Sequence, residues 1–279
     1  MKICYASDLH GHLHHYQALL ALVQSEKIEA VLLGGDLLPH QERRDSGLRE
    51  QIRFVQETFG PFASELRNHG IRFLGLILGN DDFAGALPEF QKLEKQGLFS
   101  LLRDSPVFLD SELAVFGYPF VPPTPFLLKD FEKRDRNTDT DFPQRRVFIT
   151  EENGIREIDA KTFFETRSTI EQDLASWEMP SFPCKTICVM HSPPFGTFLD
   201  RLSNGQCAGS RAIMEFISRT QPWLTLHGHI HESPQVSGKY FQKIENTLSV
   251  NPGQRVDRFC AVVFDSTAIE KTIFHTVYD

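Results

Sequence analysis

The sequence lacks most of the features that place a chain quickly, and each absence removes a class. No apolar run approaches the ~18 residues that a membrane-spanning helix needs, and the amino terminus has no basic-then-apolar secretory layout. The expectation is therefore a cytoplasmic protein with no membrane partner. Cysteine is scarce: the five residues Cys4, Cys184, Cys188, Cys207 and Cys260 are odd in number and show neither zinc-finger spacing nor a disulfide framework. Cys4, Cys188 and Cys260 lie inside apolar runs and read as small buried hydrophobes. Basic charge is also short, with 29 Lys and Arg against 37 Asp and Glu and a net charge of -8. Nucleic-acid backbone is thereby disfavoured as the main partner, because proteins that bind it carry a basic face. No repeat of ~20 to 50 residues is present, which removes solenoids and propellers.

What remains is an ordinary globular composition, 41% hydrophobic and 24% charged, in 279 residues. That length sits at the upper end of one domain or the lower end of two. The informative pattern is where the apolar runs stop. Ile3 to Ala6 runs into Ser7-Asp8-Leu9-His10-Gly11. In extended backbone, side chains two apart share a face, so Asp8 and His10 can converge beyond a strand end. A helical period follows through Leu19, Leu22 and Val23, and its opening turn puts His12 beside that end, where it is a candidate substrate contact. His14 and His15 read as solvated helix residues.

The pattern recurs. Ala30 to Leu33 leads to Gly34-Gly35-Asp36, and Ile71 to Leu78 leads to Gly79-Asn80-Asp81-Asp82. Between them, a charged helical period from about Glu42 to Asn68 carries Ile52, Val55, Phe59, Phe62 and Leu66 on its inner stripe. Continuous apolar strands separated by helices suit a parallel sheet covered on both faces, whose carboxyl ends share one crevice. In the second half, Thr186 to Met190 runs into His191, and Trp223 to Leu226 runs into His227-Gly228-His229-Ile230-His231. An amphipathic helix is expected over Lys161 to Trp177, and a hairpin around Asp265-Ser266-Thr267.

The texture differs from Tyr118 to Arg146, where prolines crowd Pro119 to Pro125 and the charged run Lys129 to Arg136 follows. This segment reads as an exposed loop or lid, either a solvated excursion or a substrate contact. Its Arg134, Arg136, Arg145 and Arg146 offer a local anion-attracting patch.

Collected, the strand-end residues are Asp8, His10, Asp36, Asn80, His191, His229 and His231. Two carboxylates, one amide and four imidazoles suit divalent Mn, Fe, Ni, Zn or Co rather than a soft thiolate metal. Seven ligands are too many for one ion, and a shared carboxylate can hold two ions about 3.5 to 4 Å apart. Asp8-x-His10, Gly35-Asp36, Gly79-Asn80, His191 and Gly228-His229-Ile230-His231, in this order, resemble the calcineurin-like metallophosphoesterase superfamily from residue 1 to about residue 255. Asn251-Pro252-Gly253 also looks like a turn seen late in its small bacterial and archaeal branches.

The resemblance implies a single domain over residues 1–279, built as a four-layer α/β/β/α sandwich of two mixed sheets flanked by helices, with the 118–146 segment inserted. It implies that Asp8, His10 and His231 bind one metal, that Asn80, His191 and His229 bind another, and that Asp36 bridges them. It further implies hydrolysis of a small phosphorylated substrate by in-line attack of a hydroxide shared by the two ions. Many members carry a histidine directly after Gly-Asn, where it protonates the leaving group; Asp81 stands there instead. A carboxylate beside two cations is a poor acid, so Asp81 is a candidate catalytic residue with a diester or an activated ester as the expected substrate. Asp82 reads as a turn or cap residue, and His227 as a hydrogen-bond partner or core histidine. The rival functions are a protein-interaction scaffold of the same fold and, less favoured by the acidic balance, a nuclease.

Overall fold

Alternation inside the apolar runs decides the layering. In the first strand, Ile3 and Tyr5 enter one core while Cys4 and Ala6 enter another. A strand buried on both faces has to be sandwiched between a second sheet and a helical layer. The computed structural model describes residues 1–40, 45–140, 146–180 and 184–278.

Among the described residues, one six-stranded sheet is built from β1 (Lys2–Ala6), β2 (Ala30–Gly34), β3 (Phe73–Ile77) and β4 (Ser100–Leu101), all parallel. Two carboxyl-terminal strands extend it antiparallel, in the order Phe274–Tyr278, Phe259–Asp265, β1, β2, β3, β4. The second six-stranded sheet centres on β6 (Leu113–Tyr118), β9 (Lys185–Met190), β10 (Leu224–Leu226) and β12 (Thr247–Val250), again parallel, between the antiparallel edges β5 (Val107–Phe108) and β11 (Phe241–Ile244). Ile3, Tyr5, Leu32, Val115, Ile187, Leu226 and Val262 fill the space between the sheets. Helix α1 (Leu13–Glu26) covers the outside of the first sheet with Leu19 and Leu22; Ile213, Phe216 and Ile217 of the Arg211–Thr220 helix cover the second. The result is the α/β/β/α sandwich expected from the sequence. No helix is long and apolar enough to cross a membrane among the described residues.

Several local expectations change. The helical stretch expected from about Glu42 to Asn68 begins, within the described residues, at Asp45 and is interrupted by a π turn, Val55–Phe59. Pro61 follows in the first turn of the Gly60–Asn68 helix, where its missing N–H cannot continue the regular ladder, and Gly60 N–H donates to Val55 O. Lys161 to Trp177 is two helices, Ala160–Glu165 and Ile170–Ala175, because Thr169 and Gln172 form a capping box that starts the second one afresh. A hairpin, β7 (Arg146–Glu151) and β8 (Gly154–Asp159), precedes them. His15 is buried against Phe259 rather than solvated, its ring centroids 6.0 Å apart.

The largest correction concerns the charged run after the prolines. Lys129, Asp130, Glu132, Lys133 and Asp135 are buried. Each finds a partner: Lys129 Nζ donates to Glu132 Oε2 at 2.7 Å and to Thr124 O at 2.9 Å, and Lys133 Nζ donates to Asp173 Oδ2. Asp130 accepts from Ala84 N and Thr150 N, and Asp135 accepts from Ser210 Oγ and Arg211 N at the start of the Arg211–Thr220 helix. Sequence-distant donors let a hydrophilic run enter the interior. The described arginines of the expected patch are each engaged by separate partners. Arg134 donates to Phe164 O, Arg136 to Glu215 and Arg146 to Glu157, while Arg145 and Pro143 lie outside the described residues.

Candidate metal centre

Five parallel strands end at one edge of the sandwich, and the chain turns there through strained backbone. Asp8, His10, Asp36 and His229 have φ of 59°, 45°, 50° and 66°, the left-handed region that side chains other than glycine rarely adopt. Each such residue costs about 1–3 kcal/mol, a strain that clusters at functional sites. Hydrogen bonds fix the turns: Asp8 N donates to Gly35 O, His10 N to Asp36 O and Gly11 N to Leu37 O. Asp82, fully buried, accepts from Leu38 N at 2.8 Å, Gly79 N at 2.9 Å and Leu37 N at 3.2 Å, and so ties the loop after β2 to the loop after β3. The motif glycines leave room for carboxylates. A Cβ at Gly79 would fall 2.2 Å from Asp36 Oδ1, and one at Gly228 would fall 2.4 Å from Asp8 Oδ2.

Two groups of donors result, with Asp36 between them. His191 Nδ1 lies 2.8 Å from Gly34 O, which orients Nε2 towards Asn80 Oδ1 at 3.1 Å and Asp36 Oδ2 at 3.2 Å. His231 Nε2 lies 3.3 Å from Asp8 Oδ1 and 3.3 Å from His10 Nε2. One donor atom from each of Asp8, His10, Asp36 and His231 falls within 4.8 Å of the others. The His229 ring stands 5.3 Å from that of His191, and its backbone N–H donates to the Asp8 carboxylate at 3.0 Å. These donors fit divalent cations: oxygen and imidazole atoms converge from five strand ends, and two imidazole nitrogens face each other beside a carboxylate, an arrangement that needs a cation or a proton between them.

The ionisation states agree. Burial pushes the Asp36 carboxyl up, but the charge and hydrogen bond of His191, with His10 and the Asp81 N–H, outweigh it and hold the group below the usual range. Burial likewise raises Asp8, and His231 together with His191 reverses the direction. Against the lowering by burial, Asp36 and Asp8 raise His191 to about 10, and Asp8 raises His231 to about 9. Burial and the charge of His191 push His229 down to about 4. Without a metal, His191 and His231 therefore favour the protonated form, and His229 favours the neutral form that can act as a ligand.

His12 stands at the start of α1, its ring facing those of His14 and His15; burial and the charges of nearby His10 and His14 lower its pKa. His227 is buried, with Nε2 2.8 Å from Thr225 Oγ1 and Nδ1 2.9 Å from Ser192 O, which makes it a hydrogen-bonded core histidine. Asp81 stands at the rim: its backbone N–H donates to Asp36 Oδ1 at 2.8 Å, and its Oδ2 lies 3.4 Å from His40 Nδ1 and 3.9 Å from His10 Nδ1. Two contributors are not evident from the sequence. His40 gives no signal beyond its own identity. Asn251 donates to Leu199 O and Ile230 O and accepts from Gly253 N, which pins the loop that carries His229 and His231; the Asn-Pro-Gly turn is visible in the sequence, but its target is not.

A cavity of 410 Å³ opens on the cluster, floored by Asp36, Asn80, Asp81, His229 and His231 and walled by Pro122 to Phe126. A second cavity of 350 Å³, between Leu102, Tyr118, Phe120 and Trp177, contains none of the strand-end ligands.

Residues 1–233 match the family model of calcineurin-like phosphoesterases. Among proteins of curated function, none matches this chain. Of solved structures, the TT1561 protein of Thermus thermophilus is similar with a TM-score of 0.59 at 16% identity, over 99% of this chain and 97% of that one. A dimetal phosphatase from Danio rerio is similar with a TM-score of 0.52 at 9% identity, over 94% of this chain and 91% of that one. At such identities the likeness is one of fold.

Proposed function

This chain belongs to the calcineurin-like phosphoesterase family, and from that membership we propose that it is a dinuclear metal-dependent hydrolase of a phosphodiester or an activated phosphomonoester. The observation that supports the reading is that donor atoms of Asp8, His10, Asp36 and His231 lie within 4.8 Å of one another while His191 Nε2 meets both Asp36 and Asn80; Asp8, His10 and His231 are assigned to one cation, Asn80, His191 and His229 to the other, and Asp36 to both. Two divalent cations held there would acidify a water molecule and neutralise the charge on the phosphoryl oxygens. The chain's own part is to hold that geometry. Asp36 spans both groups, and its second oxygen is fixed by the Asp81 N–H. Gly34 O sets the His191 ring, and the Asp8 carboxylate both faces His231 and anchors His229 N–H. An ester lying across Asp36 in the cavity would have its leaving group near Asp81. Asp81 is the proposed leaving-group contact; lacking an imidazole, it favours esters that need little protonation. The test is an assay with manganese of bis(4-nitrophenyl) phosphate against 4-nitrophenyl phosphate. Manganese-dependent cleavage with the diester preferred is expected. No turnover of either ester after metal loading contradicts the reading and favours a scaffold.

A further inference from the structure

The wall of the cavity over the cluster differs in kind from its floor. Pro122, Pro123 and Pro125 fix their own φ and present ring carbons. Phe126 stands beside them, 51% exposed although it is a large apolar ring, and Leu202 and Ile230 continue the apolar surface. Among the described lining residues there is no Lys or Arg, and the charges beyond the strand-end residues are two carboxylates, Asp81 on the floor and Glu232, which accepts from Ser203 N and Oγ. A substrate with a second phosphate or a carboxylate on its arm meets a like charge there and no cation.

The wall is also fixed in place. Phe126 N donates to Thr124 Oγ1, and Thr124 donates through both N and Oγ1 to Glu132, at 2.8 and 2.6 Å. Glu132 is held in turn by buried Lys129. The prolines and the buried ion pair thus preorganise an apolar shelf, so little ordering cost is left for binding.

We propose that this shelf is a specificity subsite for the arm of the phosphoester, and that the arm is uncharged and apolar, of the size of one aromatic ring, stacked on Phe126. The proposal rests on the phosphoesterase reading for the identity of the ligand. It predicts a preference that binding alone can measure. Protein loaded with manganese is titrated by calorimetry with phenylphosphonate, methylphosphonate and 4-carboxyphenylphosphonate. Phenylphosphonate should bind about tenfold tighter than methylphosphonate, in the range of a modest hydrophobic contact, and the carboxylate should abolish that gain. Phe126→Ala should erase the phenyl preference with no change in methylphosphonate affinity or manganese content. Equal affinity of phenyl- and methylphosphonate, a preference retained in Phe126→Ala, or no binding of either ligand overturns the proposal. Parallel hydrolysis of phenyl esters separates it from its premise. Turnover without a phenyl preference removes the subsite and keeps the enzyme, whereas the preference without turnover keeps the subsite and removes the phosphoesterase.

Discussion

Two regions of the molecule bury charge at high density, and they do so in opposite ways. In the proline-rich segment every described buried charge meets a complementary group supplied by the protein: Lys129 meets Glu132, Lys133 meets Asp173, Asp130 meets Thr150 and Ala84, and Asp135 meets the amino end of a helix. At the strand ends the charges and lone pairs converge on one another, with His10, His231 and Asp8 around one point and His191, Asn80 and Asp36 around the next. The backbone differs likewise. Four residues of the strand-end cluster hold left-handed φ, whereas Lys129 to Arg136 contains none. Burial of charge is therefore not what marks a site. A site is marked by metal-capable donors that share a direction and meet chiefly one another, on backbone strained to aim them.

Substitutions test that contrast, beginning with the largest effect. If Asp36 bridges two cations as proposed, Asp36→Asn should weaken both metal positions together and lower ester hydrolysis by more than the ~10–100-fold typical of residues that merely support ligands. Asn80→Ala should reduce occupancy mainly at the position it shares with His191, which elemental analysis will show. Equal metal content in Asp36→Asn and the parent removes Asp36 as the bridge.

In the proline-rich segment, Glu132→Leu deprives the buried Lys129 ammonium of its carboxylate and should cost about 3–5 kcal/mol, a fall in melting temperature of roughly 10 °C. The folded fraction should bind as much metal as the parent. If metal binding falls while the melting temperature holds, the two regions are not the independent structures described here.

The regions should also respond to pH with opposite signs. His191 and His231, raised to about 10 and about 9 chiefly by Asp36 and Asp8 against the cost of burial, keep their protons at neutral pH in the metal-free protein, and a cation must displace them. Metal affinity should therefore rise with pH, about tenfold per unit for each proton released. Burial raises Glu132 from 4.5 to about 7 and Asp130 from 3.8 to about 6. A raised carboxyl stabilises the fold below its unfolded value and loses that contribution as pH climbs through the folded one. Thermal melts of metal-free protein should accordingly lose the contribution of these two carboxyls between about pH 4 and about pH 7. A flat metal-binding curve over about pH 6 to 8 would contradict the first half of this contrast.

The smallest effect is expected at the rim. Asp81→His supplies an imidazole where a leaving group would stand, and the rate with an unactivated monoester should rise by about tenfold, short of the ~10²–10⁴-fold of a fully positioned general acid. Unchanged rates with both ester types would show that Asp81 does not face the leaving group.

The two regions are not equally legible in the sequence. The sandwich and its ligand-bearing edge can be read because each apolar run is short, alternates between two cores and stops at Asp, Asn or His, so that local order encodes the shared edge. The proline-rich segment cannot, because a run such as Lys129 to Arg136 matches a solvated loop unless its partners are known, and Thr150 and Ser210 lie far along the chain. The β7–β8 hairpin does carry a local sign, Asn153-Gly154 between two strand-like runs. His40 and Asn251 carry none that reaches the site, since what they contribute is a contact across loops.

The account stands on the strand-end cluster holding two cations around Asp36. The direct test is elemental analysis of the full chain after manganese loading and gel filtration. Two ions per chain in the parent and a loss of both in Asp36→Asn is the result predicted; a parent that retains no metal would contradict it.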